Sequence, residues 1–335
     1  MIEPITVGGR RIGYGSPAFL IAEAGINHNG DVDLALRMID AAAAAGADAV
    51  KFQTFTAAGF ISRSNPYFDL FKRCELSRDE FATLARRARE RNIMFLSTPL
   101  DEDSVDLLDD LGVPAFKIAS CDVTHIPLLR HVGAKRKSVL LSTGTATLTE
   151  TMIAVDTLMD AGAAGVAVFH CVSNYPAEPA SVNLRAIPRM AEALGRPVGF
   201  SDHTIGIEVP LAAVAIGASM IEKHFTLDKD MEGPDHKLSA DPEEFKRMAA
   251  AIRTVEQALG NDQKAPVESA EMIGILRRSL VAKRAIAEGT VIARDMVTAK
   301  RPGTGIPPAQ LELVIGRRAV TDFSEDELLD WRRLA

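Results

Sequence analysis

The feature that most constrains this chain is an alternation that repeats eight times before residue 260. Short apolar runs AFLIAEAG, AVKFQTF, IMFLSTP, AFKIAS, SVLLSTG, VAVFHCV, VGFSDH and MIEKHF are separated by longer amphipathic stretches. Among the latter are DVDLALRMIDAAAAAG, SRDEFATLARRARERN, TETMIAVDTLMDAG and EVPLAAVAIGAS. Near-continuous apolar strands suit a parallel sheet covered on both faces, and the stretches between them have helical spacing. Eight such units in roughly 240 residues match a closed (β/α)8 TIM barrel of ~250 residues. A doubly wound open sheet ranks below it, because no GxGxxG follows the first strand. Local signals agree: Asp31 is placed to cap the first helix and Gly46 to end it, and Ser77 with Glu80 forms a capping box.

Composition changes after Gly260. NDQKAPVESAEMIG is polar and aperiodic, and short β-branched runs with glycines and prolines follow it. The expected organisation is a catalytic barrel over 1–262, a linker over 263–275 and a small, mostly β domain over 276–335. The last is marginal alone and is expected to pack on something.

The 335 residues are 47% hydrophobic and 25% charged, with a formal net charge of -7. That balance suits a large core and argues against nucleic acid or an anionic membrane as partner. No run approaches ~20 apolar residues, and the first residues have no signal-peptide core. Three cysteines without CxxC spacing point away from disulfides and structural zinc. A cytoplasmic setting is the expectation.

In a barrel, chemistry is done at the carboxyl ends of the strands. Polar residues recur there: Glu23, Lys51 with Gln53, Thr98, Lys117 with Ser120, Ser142, His170 with Ser173, Ser201 with His203, and Glu222 with Lys223 and His224. A lone serine there is usually a turn residue, and a lone strand histidine is usually part of the core. Several buried charges together need partners or a ligand, because a bare buried charge costs several kcal/mol. Two lysines with hydroxyls suit a phosphate or carboxylate. His203 and His224 stand one βα unit apart and can converge on one divalent metal, leaving open positions for water and substrate.

The motifs IAEAGINHNGD, ADAVKFQTF, FLSTP, FKIAS, LSTGTAT, HCVSNYP, GFSDHTIG and EKHFTLDKDMEGPDHKLS together resemble the sialic acid synthase family. That family comprises N-acetylneuraminate, legionaminate and pseudaminate synthases. The tail RSLVAKRAIAEGTVIARDMVTAKRPGTG resembles the family's antifreeze-like (SAF) domain. The resemblance implies condensation of phosphoenolpyruvate with an N-acetylated aldose, N-acetylmannosamine or a 2,4-diacetamido-6-deoxy hexose, giving a nonulosonic acid and phosphate. It implies Mn2+ or Mg2+ on His203 and His224. It implies phosphoenolpyruvate on Lys51, Thr98, Lys117, Ser120, Ser142, Ser173 and Ser201, and the sugar on Gln53, Asn65, Asp122, Tyr175, Asp235 and Arg301. It also implies a domain-swapped homodimer, with Arg301 reaching the partner's barrel. Position 122 is aspartate where relatives often carry glutamate, and the segment after the second strand is short, so the sugar is not fixed. Glu23 and Glu222 are the candidates to activate water. The competing functions are a phosphoenolpyruvate aldol synthase for a phosphorylated sugar aldehyde and a non-catalytic carbohydrate-binding module.

Overall fold

The computed structural model describes residues 2–335, and the chain divides into two compact units at Gly260. The first unit opens with a hairpin, β1 (Ile5–Val7) and β2 (Arg10–Ile12). Eight strands follow: β3 (Phe19–Gly25), β4 (Ala49–Thr54), β5 (Met94–Pro99), β6 (Ala115–Ile118), β7 (Ser138–Ser142), β8 (Gly165–Cys171), β9 (Val198–Asp202) and β10 (Met220–His224). They form one sheet in the order β5-β4-β3-β10-β9-β8-β7-β6, with every pairing parallel. The two ends of that order, β5 and β6, lie side by side, which nearly closes the ring. The expected barrel is present.

Alternation along each strand divides the apolar residues into two layers. Phe19, Ile21, Ala49, Leu96, Ala115, Leu140, Ala167, Phe169 and Met220 fill the inside. Leu20, Ala22, Val50, Phe52, Phe116, Val139, Val168, Phe200 and Ile221 meet the surrounding helices. The hairpin was not foreseen. Its Ile5, Val7 and Ile12 join the inner layer, and Ser138 Oγ donates to the Thr6 carbonyl at 2.7 Å, so it plugs the amino end of the barrel. Strands of three residues are too short to show periodicity.

The helices start where the sequence indicates. Asp31 accepts from the backbone N–H groups of Asp33 and Leu34 ahead of helix Val32–Ala44. Ser77 and Glu80 cap helix Arg78–Glu90 reciprocally, and Thr147 with Glu150 does the same for helix Leu148–Asp160. Gly46, at φ +84°, turns the chain after the first of these.

The second unit pairs β11 (Ser279–Ala282) with β12 (Val297–Lys300) antiparallel over a core of Leu280, Ile286, Ile292, Val314, Phe323 and Leu329. A short helix, Ala270–Leu276, takes up the end of the expected linker and one residue beyond it, and its start is capped by Ser269 accepting from Met272 N. A seven-residue helix is too short to reveal itself by spacing. No described helix is long and apolar enough to cross a membrane.

Candidate active site

Inward parity carries straight from the apolar layer to the polar one. Ile21 leads to Glu23, Ala49 to Lys51, Leu96 to Thr98, Ala115 to Lys117, Leu140 to Ser142, Gly199 to Ser201 and Met220 to Glu222. The carboxyl end of the barrel interior is therefore a buried polar cluster.

Lys51 Nζ lies 2.7 Å from Glu23 Oε2 and 3.7 Å from Glu222 Oε2, and donates to Thr98 Oγ1 at 3.1 Å. Lys117 Nζ donates to Ser142 Oγ at 2.6 Å and lies 3.7 Å from Glu222 Oε1. Ser201 Oγ donates to Glu222 Oε1 at 3.0 Å. The cluster fixes the charge states. Burial lifts the Glu23 carboxyl to about 7, against the pull of Lys51. Burial also disfavours the Glu222 charge, but the Lys117 and Lys51 ammoniums outweigh it and hold that carboxyl at about 2. Lys117 is lowered by burial. Burial opposes the Lys51 charge too, and the Glu222 and Glu23 carboxylates overcome it.

Glu222 thus pairs with the two inner lysines and not with Lys223, its neighbour in sequence. Lys223 points out of the barrel to Asp202 at 2.6 Å. His170, at the end of β8, also faces outward, its Nε2 donating to the Val182 carbonyl at 2.6 Å.

Ser120 and Ser173 converge on Gly144, whose N–H donates to Ser120 Oγ at 3.0 Å. A Cβ at Gly144 would stand 2.2 Å from Ser173 Oγ and 2.9 Å from Ser120 Oγ, so any side chain here would have to displace both hydroxyls. Gly144 and the inward Cys171, whose Sγ lies 3.8 Å from Ser120 Oγ, were not singled out from the sequence. Parity with Ala167 and Phe169 was the signal for the cysteine; nothing local marked the glycine.

The His203 and His224 rings lie with centroids 5.4 Å apart. His203 Nδ1 is 2.6 Å from the Val172 carbonyl, which only accepts, so Nδ1 carries a proton and Nε2 is the nitrogen left to face a ligand. Burial, and then the neighbouring His203, keeps His224 well below its ordinary range, so it is a neutral ligand-type imidazole. Its buried Nδ1 has no hydrogen-bond partner among the described residues, and Asp235 Oδ2 lies 3.9 Å away. Burial opposes the His203 charge, but Cys171 and the Val172 carbonyl overcome it and raise that imidazole above its ordinary range. One ring oriented by a backbone carbonyl and one with an unpartnered nitrogen fit a divalent cation that would displace the His203 proton and keep open positions.

Around this mouth, the Tyr175 ring sits 4.1 Å from the His203 ring and meets His224 edge-on at 5.6 Å. Gln53 Nε2 donates to Glu23 Oε1 at 3.4 Å. Burial raises the carboxyls of both Asp122 and Asp235. Asn65 is not brought in: it is exposed, its Oδ1 accepting from Tyr67 N at 2.9 Å in a local turn. Arg301 lies exposed on the second unit.

Eight parallel strands carry a cluster of buried lysines, carboxylates and hydroxyls beside two imidazoles, all at the carboxyl end, which is where a (β/α)8-barrel enzyme places its chemistry. The profile of the NeuB family matches residues 38–264, and that of the SAF domain matches 277–335. The chain is 47% identical over 98% of its length to an uncharacterized protein of Methanocaldococcus jannaschii, 98% of which is covered. It is 42% identical to the N,N'-diacetyllegionaminic acid synthase of Campylobacter jejuni, over 92% of this chain and 98% of that one. Its fold superposes with a TM-score of 0.77 on the N-acetylneuraminic acid (sialic acid) synthetase of Leptospira borgpetersenii, solved with citrate. That pair is 39% identical over 81% of this chain and 95% of the other. The chain belongs to the NeuB family and is an enzyme of the sialic acid synthase kind.

Proposed function

We propose that this enzyme condenses phosphoenolpyruvate with an N-acetylated aldose to give a nonulosonic acid and phosphate. The observation that carries the reading is the buried cluster itself. Two ammoniums and the hydroxyls of Thr98, Ser120, Ser142, Ser173 and Ser201, with the Gly144 N–H, form a bed for a compact polyanion. The relatives' names supply the product class.

In this reading Lys51 and Lys117 hold the dianionic donor. The donor's C3 attacks the open-chain aldehyde, leaving oxocarbenium character at C2. Glu23 accepts a proton from the water that adds there, and phosphate departs with C–O cleavage. Glu222 holds both lysines in register. His203 and His224 would hold the divalent cation, Mn2+ or Mg2+, which supplies Lewis-acid polarisation of the aldehyde oxygen when bound. Gln53, Tyr175, Asp122 and Asp235 line the acceptor side. Arg301 completes it from the partner subunit of a domain-swapped dimer. The four barrel positions on the acceptor side, Gln53, Asp122, Tyr175 and Asp235, are uncharged or acidic, which favours a neutral sugar over a phosphorylated one. The identity to a legionaminic acid synthase favours a 2,4-diacetamido-6-deoxy hexose.

The test is phosphate release from phosphoenolpyruvate against a panel of N-acetylmannosamine, its 6-phosphate and 2,4-diacetamido-6-deoxy hexoses, with mass spectrometry of the product. Release of phosphate with none of them refutes the reading. Turnover of the 6-phosphate alone replaces the neutral acceptor with a phosphorylated one.

A further inference from the structure

Behind each histidine stands a buried charge that the chemistry above does not use. Asp202 precedes His203 at the end of β9, and Lys223 precedes His224 at the end of β10. The two are register partners across the β9–β10 ladder. Both side chains point outward, with Lys223 Nζ 2.6 Å from Asp202 Oδ2 and side chains 2% and 0% exposed. The pair also binds the turn that follows His203. Asp202 Oδ1 accepts from both the backbone N–H and the hydroxyl of Thr204 at 2.8 Å each, and Lys223 Nζ donates to the Thr204 carbonyl at 2.8 Å. The residues on both sides of His203 are thus tied to the strand that carries His224.

A buried ion pair adds little net stability over a well-packed apolar pair of the same volume. What this one adds is geometry: it fixes a flexible strand end and its turn against the neighbouring strand. A histidine pair offered to one cation needs its two rings held at a fixed separation, and small displacements of ligands are felt strongly in affinity.

We propose that Asp202, Lys223 and Thr204 form an outer-face clasp that positions His203 and His224 for a shared divalent cation. The inference rests on the cation site proposed above, and Lys223 and Asp202 act only through the histidines.

The experiment titrates Mn2+ into the full-length protein and follows the free ion by electron paramagnetic resonance, with melting curves in parallel. The double variant Asp202→Asn/Lys223→Met removes both charges at similar volume. It should raise the Mn2+ dissociation constant roughly 10- to 100-fold, while stabilisation by phosphoenolpyruvate in the presence of chelator stays at the wild-type level. The control Thr54→Val/Ser97→Ala breaks a buried hydroxyl contact of 2.7 Å between β4 and β5, and should leave Mn2+ affinity unchanged. If the first double variant does not fold, Thr204→Val takes its place. It removes only the hydroxyl bond to Asp202 and should weaken Mn2+ about threefold. Wild-type affinity in the clasp variant, or an equal loss in the control, overturns the clasp alone. Wild-type protein that binds Mn2+ no better than His203→Ala/His224→Ala overturns the cation site and the clasp together.

Discussion

Replacing Glu222 with glutamine tests the electrostatics of the pocket most directly. Its carboxylate stands 3.7 Å from each of two buried ammoniums, Lys51 and Lys117. At an effective dielectric of about 20, each contact is roughly 4.5 kcal/mol of gross attraction. Part of that offsets desolvation, so breaking such a buried network costs about 3–5 kcal/mol net. For a barrel of this size the melting temperature should fall on the order of 10 °C. The remaining Lys51–Glu23 contact at 2.7 Å keeps one lysine paired. Lys117 retains the Ser142 hydroxyl, the Ile118 carbonyl and the Phe169 ring face at 5.4 Å. The two ammoniums should then favour an added anion. Phosphoenolpyruvate at 100 times its dissociation constant stabilises a protein by about 2.7 kcal/mol. At one fixed donor concentration, the variant should gain more melting temperature than the wild type. Both proteins are melted in chelator, with and without donor, so that no cation contributes. A variant that melts within about 2 °C of wild type, with the same donor-induced gain, would refute the reasoning.

Three further outcomes are expected. His28 is buried, its Nε2 without a partner among the described residues, and burial holds it at about 4, against an ordinary 6.5. The folded state therefore binds fewer protons than the unfolded one. Stability is intact above pH 6.5 and falls by about 3 kcal/mol as pH drops to 4. Urea unfolding across that range should show the loss, and His28→Gln should flatten it. Gly144→Ala would press a methyl against the Ser173 and Ser120 hydroxyls, raising the donor KM roughly tenfold with little change in melting temperature. Arg301→Ala should raise the acceptor KM and leave the donor KM unchanged in initial-rate assays, if the second unit completes the acceptor site.

The (β/α)8 barrel could be read in advance because its signals are local. Apolar runs and helical spacing mark each unit, and Asp31, Ser77 and Glu80 do at the helix starts what their spacing indicates. The strand-end residues of the pocket were visible for the same reason: period-two alternation places Lys51, Lys117, Ser201 and Glu222 on the inner face once the strands are known. Who pairs with whom was not visible. Glu222 has Lys223 beside it in the chain, yet adjacent strand residues face opposite sides, and its partners arrive from β4 and β6. Cys171 and Gly144 acquire meaning only where the ends of β6, β7 and β8 meet. The plug formed by Ile5, Val7 and Ile12 is too short to carry a periodic signal, and it is defined by what it fills. Asn65 shows the same limit from the other side, since a polar residue in an irregular segment has no parity to say where it points. Sequence determined which residues face inward, because backbone geometry enforces alternation within one strand. Tertiary structure alone decided which charges meet, because closing the ring brings together strands whose separation along the chain carries no record of their distance.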